Sequence, residues 1–397
     1  MDELAYELKI DPLQLRLMNH TAIDPLSKKP FSLENLKECY TLGAEKFGWS
    51  ERKMQPRQIR RGRHLVGCGM ATATYPAIRS TASAKVQIFA NGQVKVLSAT
   101  QDIGTGTYTI MAQTVADALG VPIENVSVEL GDSSLPPAPV SGGSTTAVSV
   151  TSAVLAAGEM LKKDLMALAL KDGKSKLNGR NPGEVDFADA KFFVKNDKSI
   201  SDDYTAILKR NNKEMMEVCA TSLPQNGGGL GGNQAPCSTE DFPKDEDADA
   251  SKYSFHSFGA QFAEVLVDED LGTVRVSRFT SVQDIGRVLN AKTAESQIIG
   301  GVIYGLGQAL MEETQYDKRW ANPIQRTLAD YHVPCNLDVP PIDVHFIGKP
   351  DPHISPIGAR GIGEIGITGV AAAVANAVFN ATGKRIRNLP LTPDKLV

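Results

Sequence analysis

Gln101-Asp-Ile-Gly-Thr-Gly106 decides the fold of this chain, because its first four residues recur at Gln283-Asp-Ile-Gly286. Each copy follows a pair of segments that alternate in hydrophobicity and precedes an apolar stretch with helical spacing. The first pair is joined by Asn91-Gly92, a dipeptide typical of tight hairpin turns. The shared context of hairpin, loop and helix indicates an internal duplication. The sequence therefore predicts an α+β fold of two related subdomains.

The predicted elements divide the 397-residue chain into four consecutive parts. Residues 1–60 form a helical lead-in, and residues 61–221 form the first subdomain. Residues 222–252 are rich in glycine and acidic residues, which predicts a flexible insertion. Residues 253–397 form the second subdomain and include a glycine-rich loop. Two stretches are predicted to carry little regular structure, residues 61–82 and residues 172–252.

Composition argues against several classes of function. The net charge is −4 and no long basic run occurs, so nucleic acid is not expected as a partner. The five cysteines are dispersed without a Cys-x-x-Cys pair, so neither an iron–sulfur pattern nor a zinc ribbon is encoded. No cluster of histidine, cysteine and carboxylate is evident, so any metal is expected to be held by an organic cofactor. No transmembrane run and no signal peptide are predicted.

Three short segments of small residues stand directly before predicted helices. They are Gly104-Thr-Gly106, Gly142-Gly-Ser-Thr145 and Gly366-Ile-Thr-Gly369. Such segments offer backbone N–H groups and hydroxyls at the positive end of a helix, which suits phosphate or a polar heterocycle. Helix caps look similar, so each segment alone is weak evidence. Together they favour a large phosphate-bearing cofactor, and none is a Walker A loop because no Gly-Lys-Ser/Thr follows.

One carboxylate, Glu364, lies in the glycine-rich loop 358–369, which leads into an apolar helix. An isolated acid among glycine and isoleucine is poorly solvated, which is the setting of a general base. The alternative is a surface loop with one solvated glutamate. Gly361, Gly363 and Gly366 also match GxGxxG, but two prolines occupy the place of the required strand. No acid follows at the required distance either, so a nucleotide-binding module is disfavoured.

Four motifs, taken in order along the chain, resemble the molybdenum-binding subunit of the xanthine oxidase family. They are Gln101-Asp-Ile-Gly-Thr-Gly-Thr107, Ser141-Gly-Gly-Ser144, Asp284-Ile-Gly-Arg-Val-Leu-Asn290 with Gln297, and Gly363-Glu364. The likeness covers nearly the whole chain and is greatest to bacterial aldehyde oxidoreductases that use molybdopterin cytosine dinucleotide. It implies a molybdenum hydroxylase that oxidises aldehydes to carboxylic acids with water as the oxygen donor.

The resemblance also implies roles for individual residues. Glu364 matches the active-site base that activates the nucleophile for attack on the substrate carbonyl carbon. Tyr75 and Arg79 match the loop that lines the substrate funnel. No side chain is implied as a metal ligand, because the cofactor itself holds the molybdenum. The positions implied for cofactor binding are Gln101, Ile103, Gly104, Thr105, Gly106, Gly142, Gly143, Ser144, Thr145, Gln297, Gly363 and Gly366.

The chain departs from this family in length, because the family's molybdenum subunit is about twice as long. The N-terminal half of the family's subunit carries another glycine-rich loop and much of the substrate pocket, and it is expected as a separate partner if the subunit is split. Further expected partners are an iron–sulfur subunit, an FAD subunit and a small aldehyde, with the iron–sulfur and FAD groups on partner subunits only. The alternative is a truncated fragment that keeps the fold without turnover. The expected location is the cytoplasm, or the periplasm by export with a partner subunit.

Overall fold

The computed structural model describes residues 1–224, 237 and 251–397, so the flexible insertion predicted at 222–252 lies largely outside the described residues. The described helices are α1 (Asp2–Leu8), α2 (Pro12–Met18), α3 (Leu36–Phe47), α4 (Thr107–Leu119), α5 (Thr146–Lys171), α6 (Tyr204–Arg210), α7 (Ala291–Leu310) and α8 (Val370–Thr382). The described strands are β1 (Ile59–Arg61), β2 (His64–Pro76), β3 (Ala82–Phe89), β4 (Val94–Ser98), β5 (Val126–Leu130), β6 (Val185–Ala188), β7 (Lys191–Val194), β8 (Asp197–Asp203), β9 (Met215–Ser222), β10 (His256–Asp268), β11 (Thr273–Asp284), β12 (Tyr316–Asp317), β13 (Asn322–Pro323) and β14 (Ile342–Phe346).

The chain folds into two compact units that are discontinuous in sequence. The first unit joins Met1–Pro76 to Ser254–Lys349 and Ile362–Val397, and the second joins Ala77–Tyr253 to Pro350–Gly361. The predicted subdomains, in contrast, follow one another along the chain. The first unit gathers distant stretches because β2 pairs with β10 along its whole length.

The first unit is built on a five-stranded sheet in the order β1-β2-β10-β11-β14. One face packs against α3 through buried aromatic residues that include Phe47 and Phe262. The other face packs against α7 and α8 through residues such as Val302 and Val374. Burial of both faces removes apolar surface from water, which is the main stabilising contribution to such a sheet.

Strand β2 corrects the prediction that residues 61–82 are irregular. Its sequence contains Gly67 and Gly69, which lower strand propensity and hide the alternation. Both glycines are packing requirements, because a Cβ at either would collide with a backbone carbonyl of α8, that of Ala377 or Ala373. Helix α8 therefore lies directly on the β2 backbone.

The second unit contains a four-stranded sheet, β5-β4-β3-β9, and a three-stranded sheet, β6-β7-β8. Helices α4 and α5 bury residues such as Val115 and Leu161 in its core. The prediction of little regular structure after residue 172 is wrong for the described part, because β6 to β9 and α6 lie there. Phe192 and Ile207 from this stretch are fully buried, so tertiary packing stabilises elements whose local pattern is weak.

Both main sheets follow the same order of connections. Hairpin β3–β4 is followed by α4, by β5 parallel to β4, and then by α5. Hairpin β10–β11 is followed by α7, by β14 parallel to β11, and then by α8. An antiparallel strand, β9 or β2, flanks the first strand of each hairpin. The α+β class and the duplication are therefore confirmed by topology.

The two copies of the repeated motif differ in solvent exposure. Their identical sequences do not predict this difference. Gln101 and Asp102 lie in a loop after β4, with Gln101 exposed. Gln283 and Asp284 are instead the last residues of β11 and are completely buried. The second copy therefore does not form an exposed ligand loop like the first.

Among the described residues, the segment Ile365–Thr382 is long and apolar enough to cross a membrane by length and composition alone. More than half of it is buried. Its helical part, α8, packs against the sheet of the first unit, and core helices of globular proteins pass the same test. The expectation of no membrane span stays a prediction.

Candidate functional site

The loop after β4 in the second unit is organised by Asp102. Its Oδ1 accepts hydrogen bonds from the backbone N–H groups of Gly104 and Thr105, both at 2.9 Å, and of Gly106 at 3.2 Å. Oδ2 accepts from the N–H of Tyr108 at 3.3 Å, in the first turn of α4. Burial alone would raise the pKa of Asp102, but these four donors favour the carboxylate and lower it.

Asp102 belongs to the repeated motif, but it is not among the residues predicted to bind the cofactor. The amides expected to face a ligand at Gly104, Thr105 and Gly106 point to this carboxylate instead. What the loop presents outward is its tip, where Ile103 is 70% exposed. A Cβ at Gly104 would meet nothing within 4 Å, so the loop surface is open.

The segment before α5 lies against this loop. Ser141 Oγ donates to Gln101 Oε1 at 2.8 Å and to the Gln101 carbonyl oxygen at 3.3 Å. Gly143 and Ser144 both have a positive φ, 62° and 57°, which is uncommon for serine and typical of functional loops. Gly142 faces open space. The structure therefore brings together the predicted residues of both loops.

The start of α5 adds hydrogen-bond donors to this pair of loops. The cap residue Thr145 makes no side-chain bond to the first turn, because its hydroxyl donates to the carbonyls of Val140 and Gly142 at 3.3 and 3.1 Å. The first-turn amides of this 26-residue helix are therefore not capped by the side chain of Thr145. A helix start of this kind attracts anions.

Two further residues of the second unit are held by packing. A Cβ at Gly361 would collide with the Ser144 carbonyl oxygen, so Gly361 lets residues 350–361 lie against the Ser144 loop. Arg79 is buried, and its guanidinium donates to the Ile354 carbonyl at 3.0 Å and to Ser222 Oγ at 2.5 Å. These contacts identify Arg79 as a residue that fixes the backbone around it.

In the first unit, Glu364 is half-buried and hydrogen-bonded to Tyr75, the residue predicted to line a funnel. Burial, followed by the charge and the hydrogen bond of Glu364, raises the pKa of Tyr75 above its usual value near 10. The phenol therefore stays protonated at neutral pH and donates to the carboxylate. The structure thus joins two predicted site residues that lie far apart in sequence.

The loop that carries Glu364 packs tightly on α7. A Cβ at Gly301 would lie 2.6 Å from the Gly366 carbonyl carbon, so the two backbones are in direct contact. Gly301 is therefore required for packing, whereas a Cβ at Gly366 would meet its neighbours at 3.2 Å, a tight contact. The role of Gly366 at a ligand stays a prediction. Gln297 is half-buried on the same helix, one residue before Ile298, which also contacts Gly366. Gly363 is exposed.

The two sets of residues suit different tasks. The loops of the second unit combine open small-residue surfaces, hydroxyls and free space, which fits a polar, phosphate-bearing cofactor. The first unit presents a carboxylate held by a phenol, which fits proton transfer. Within the described part of the chain, no three histidine, cysteine or acidic residues form a group that could hold a metal ion.

Comparison with known sequences gives a family match and several long relatives. The molybdopterin cofactor-binding domain family matches residues 42–340. The aldehyde oxidoreductase molybdenum-binding subunit PaoC of Escherichia coli (strain K12) is 39% identical over 398 residues, which cover 100% of this chain and 49% of that subunit. The xanthine dehydrogenase molybdenum-binding subunit of Escherichia coli O157:H7 is 28% identical, covering 100% of this chain and 50% of that subunit.

Two solved structures of oxidoreductases share the fold of this chain. Quinoline 2-oxidoreductase from Pseudomonas putida 86 aligns with a TM-score of 0.81 at 22% identity, over 99% of this chain and 50% of that one. The aldehyde oxidoreductase from Desulfovibrio desulfuricans ATCC 27774 aligns with a TM-score of 0.73 at 25% identity, over 100% of this chain and 39% of that one. The chain thus spans about half the length of the curated relatives it matches.

Proposed function

Because the chain belongs to the molybdopterin cofactor-binding domain family, we propose that it is half of the catalytic subunit of a molybdenum hydroxylase that oxidises aldehydes. The reaction converts an aldehyde and water into a carboxylic acid, two protons and two electrons. The 39% identity to an aldehyde oxidoreductase subunit supports an aldehyde as the substrate class. The single observation that carries the catalytic assignment is the Tyr75–Glu364 hydrogen bond.

Glu364 is proposed to act as the general base. Its carboxylate takes the proton from the water-derived nucleophile that attacks the carbonyl carbon of the substrate. Tyr75 holds that carboxylate in one orientation and stays a donor, because the raised pKa of the phenol keeps it protonated. A base fixed in this way needs little reorganisation when the proton moves.

The cofactor is proposed to be molybdopterin cytosine dinucleotide with molybdenum. When bound, it supplies the two-electron acceptor that the overall reaction requires. Its phosphates and heterocycles are proposed to contact Gln101, residues 103–106 and residues 142–145, with the start of α5 providing backbone donors. Gln297, Gly363 and Gly366 are proposed as further cofactor-binding residues. The open surfaces at Gly104 and Gly142 support the assignments in the two loops of the second unit.

Further protein parts are proposed to complete the enzyme. The relatives are about twice as long, which supports a companion half of the molybdenum subunit, either on the same polypeptide or on a separate one. Electrons are proposed to leave through an iron–sulfur subunit and an FAD subunit. The enzyme is proposed to work in the cytoplasm, or in the periplasm after export with a partner.

The test is Glu364→Gln in the enzyme purified with its partner polypeptides from the cells that make it. Loss of a general base is expected to lower aldehyde-dependent dye reduction by about 10²–10⁴-fold, with molybdenum content unchanged. Glu312→Gln is the matched control, because Glu312 Oε2 also accepts a hydrogen bond from a tyrosine, Tyr331, at 2.9 Å in the same unit. Retention of more than about a tenth of the wild-type rate by Glu364→Gln contradicts the assignment. A wild-type protein with neither molybdenum nor turnover supports the alternative of a non-catalytic fragment.

A further inference from the structure

Gln261 is a completely buried amide in the middle of β10, beneath the loop that carries Glu364. Its partners across the sheet are Ala71 on β2 and Ser281 on β11. It points to the face that carries α7 and α8, because its neighbours Ala260 and Phe262 pack on the opposite face. The small residues beside Gln261 leave room for its side chain to extend toward the loop.

The amide is hydrogen-bonded to that loop at two points. Nε2 donates to the carbonyl oxygen of Gly366 at 3.2 Å and to that of Thr368 at 3.1 Å. Carbonyl oxygens can only accept, so the amide must turn its nitrogen toward the loop. The two bonds lie on either side of Ile367 and hold the backbone there.

The other end of the same amide is unsatisfied. Oε1 of Gln261 is buried and has no hydrogen-bond partner within the described part of the chain. An unpaired buried oxygen destabilises the folded state, and a small apolar side chain at this sheet position would avoid that loss. Gln261 is therefore poorly explained as a residue that stabilises the sheet, and its observed interactions are with the loop.

The position of this loop sets the position of Glu364. Glu364 directly precedes a single 3₁₀ turn, Ile365–Ile367, and its carbonyl accepts the Ile367 N–H at 3.4 Å. Gly366 is in close backbone contact with Gly301 on α7, and Gly369 with Thr72 on β2. These contacts limit how far the turn can move toward the helix and the sheet. The two hydrogen bonds donated by Gln261 hold the turn against these contacts.

We propose that Gln261 is a positioning residue for Glu364, acting through its two hydrogen bonds to the following turn. The effect on turnover rests on the proposed function, because it requires Glu364 to be the base. The effect on the loop does not, so the two can be measured separately.

The first experiment replaces the amide with an uncharged side chain of similar length, Gln261→Met. Amide hydrogen exchange of residues 366–369 is expected to become at least about tenfold faster, because the turn loses its donor. In the complete enzyme kcat is expected to fall by about 10- to 100-fold with KM changed less than about twofold, as for a displaced catalytic group. Gln283→Met is the matched control, since Gln283 is equally buried and its Nε2 donates to Ser281 Oγ at 2.9 Å.

A second variant keeps the test valid if Gln261→Met fails to fold. Gln261→Glu has nearly the same shape, but its ionised carboxylate cannot donate to the two carbonyl oxygens. Burial raises the pKa of the introduced carboxyl, and its protonated form can restore one bond. Exchange protection of residues 366–369 is therefore expected at low pH and lost as the pH rises through that raised pKa.

The outcomes separate the two proposals. Unchanged exchange at residues 366–369 in both variants overturns the role of Gln261, and so does faster exchange with an unchanged kcat. Faster exchange with lower kcat, absent in Gln283→Met, supports it. Failure of the proposed function looks different, because Glu364→Gln then keeps its turnover whatever the exchange rates of the loop.

Discussion

Replacing Gly301 with alanine tests whether direct backbone contact with α7 sets the position of the Glu364 loop. The new methyl carbon would lie 2.6 Å from the Gly366 carbonyl carbon, 2.7 Å from its Cα and 2.8 Å from the Ile367 nitrogen. Ordinary contact begins at 3.4 Å, so the loop must move away by roughly 0.8 Å. Overpacking of this kind costs about 1–3 kcal/mol, partly offset by about 0.5–1 kcal/mol from removing a glycine inside a helix.

Gly300→Ala is the control, because the methyl group at that position meets nothing within 4 Å. It is expected to stabilise the first unit by about 0.5–1 kcal/mol, whereas Gly301→Ala is expected to destabilise it. The midpoint of urea unfolding, followed by the fluorescence of Trp49 and Trp320, which both lie in the same unit, measures the difference. Gly301→Ala is expected to shift the Glu364 loop, and in the complete enzyme this shift is expected to lower kcat by up to about 10²-fold. If Gly301→Ala is as stable and as active as Gly300→Ala, the close contact is not what places the loop.

The remaining predictions concern Tyr75 and Asp102. Tyr75→Phe is expected to lower kcat by about tenfold, the size of one hydrogen bond to a charged group. The control Tyr331→Phe is expected to keep the wild-type rate. Equal rates for the two variants in steady-state assays would show that Tyr75 has no role in the site. Asp102→Ala is expected to destabilise the loop by about 0.5–2 kcal/mol, as for a lost helix cap, and to lower the molybdenum content of the enzyme. Asp132→Ala, a substitution in another turn, is the control. Since the folded-state pKa of Asp102 lies below 3.8, its stabilisation is present above pH 3.8 and is lost as the pH falls through the lower folded-state value. Amide exchange of residues 104–108, corrected for the intrinsic effect of pH, should show this loss in the wild type and not in Asp102→Ala.

Much of the fold could be predicted because the duplicated elements carry strong local signals. The hairpin turn at Asn91-Gly92 and the alternation around it correctly predict the hairpin of β3 and β4. Strand β2 could not be predicted, because Gly67 and Gly69 obscure its pattern and the reason for them is the backbone of α8. That contact joins residues more than 300 positions apart, so no local pattern in the sequence contains it.

The family was predicted correctly because its motifs occur in order, and the match over residues 42–340 confirms it. The roles of single residues were harder to infer. Asp102 lay inside a recognised motif, yet only the fold reveals that it accepts the amides of its own loop. Gln261 belongs to no motif, and its single signal in the sequence is an amide within the otherwise apolar run of residues 258–263. That signal becomes informative once the partners of the side chain are known.

The glycines of the candidate site fall into two kinds, and this division limits what a glycine-rich motif can establish. At Gly361 and Gly369 an added Cβ would collide with backbone oxygens of neighbouring segments, those of Ser144 and Thr72, so internal packing alone accounts for the absence of a side chain. At Gly104 and Gly142 an added Cβ would meet nothing, and internal packing gives no reason for glycine. Gly104 still needs glycine for its φ of 96°, whereas Gly142 has neither constraint. A surface kept free of side chains without an internal reason is best explained by a ligand that approaches the backbone, and Gly142 is therefore the glycine that argues most directly for a bound cofactor.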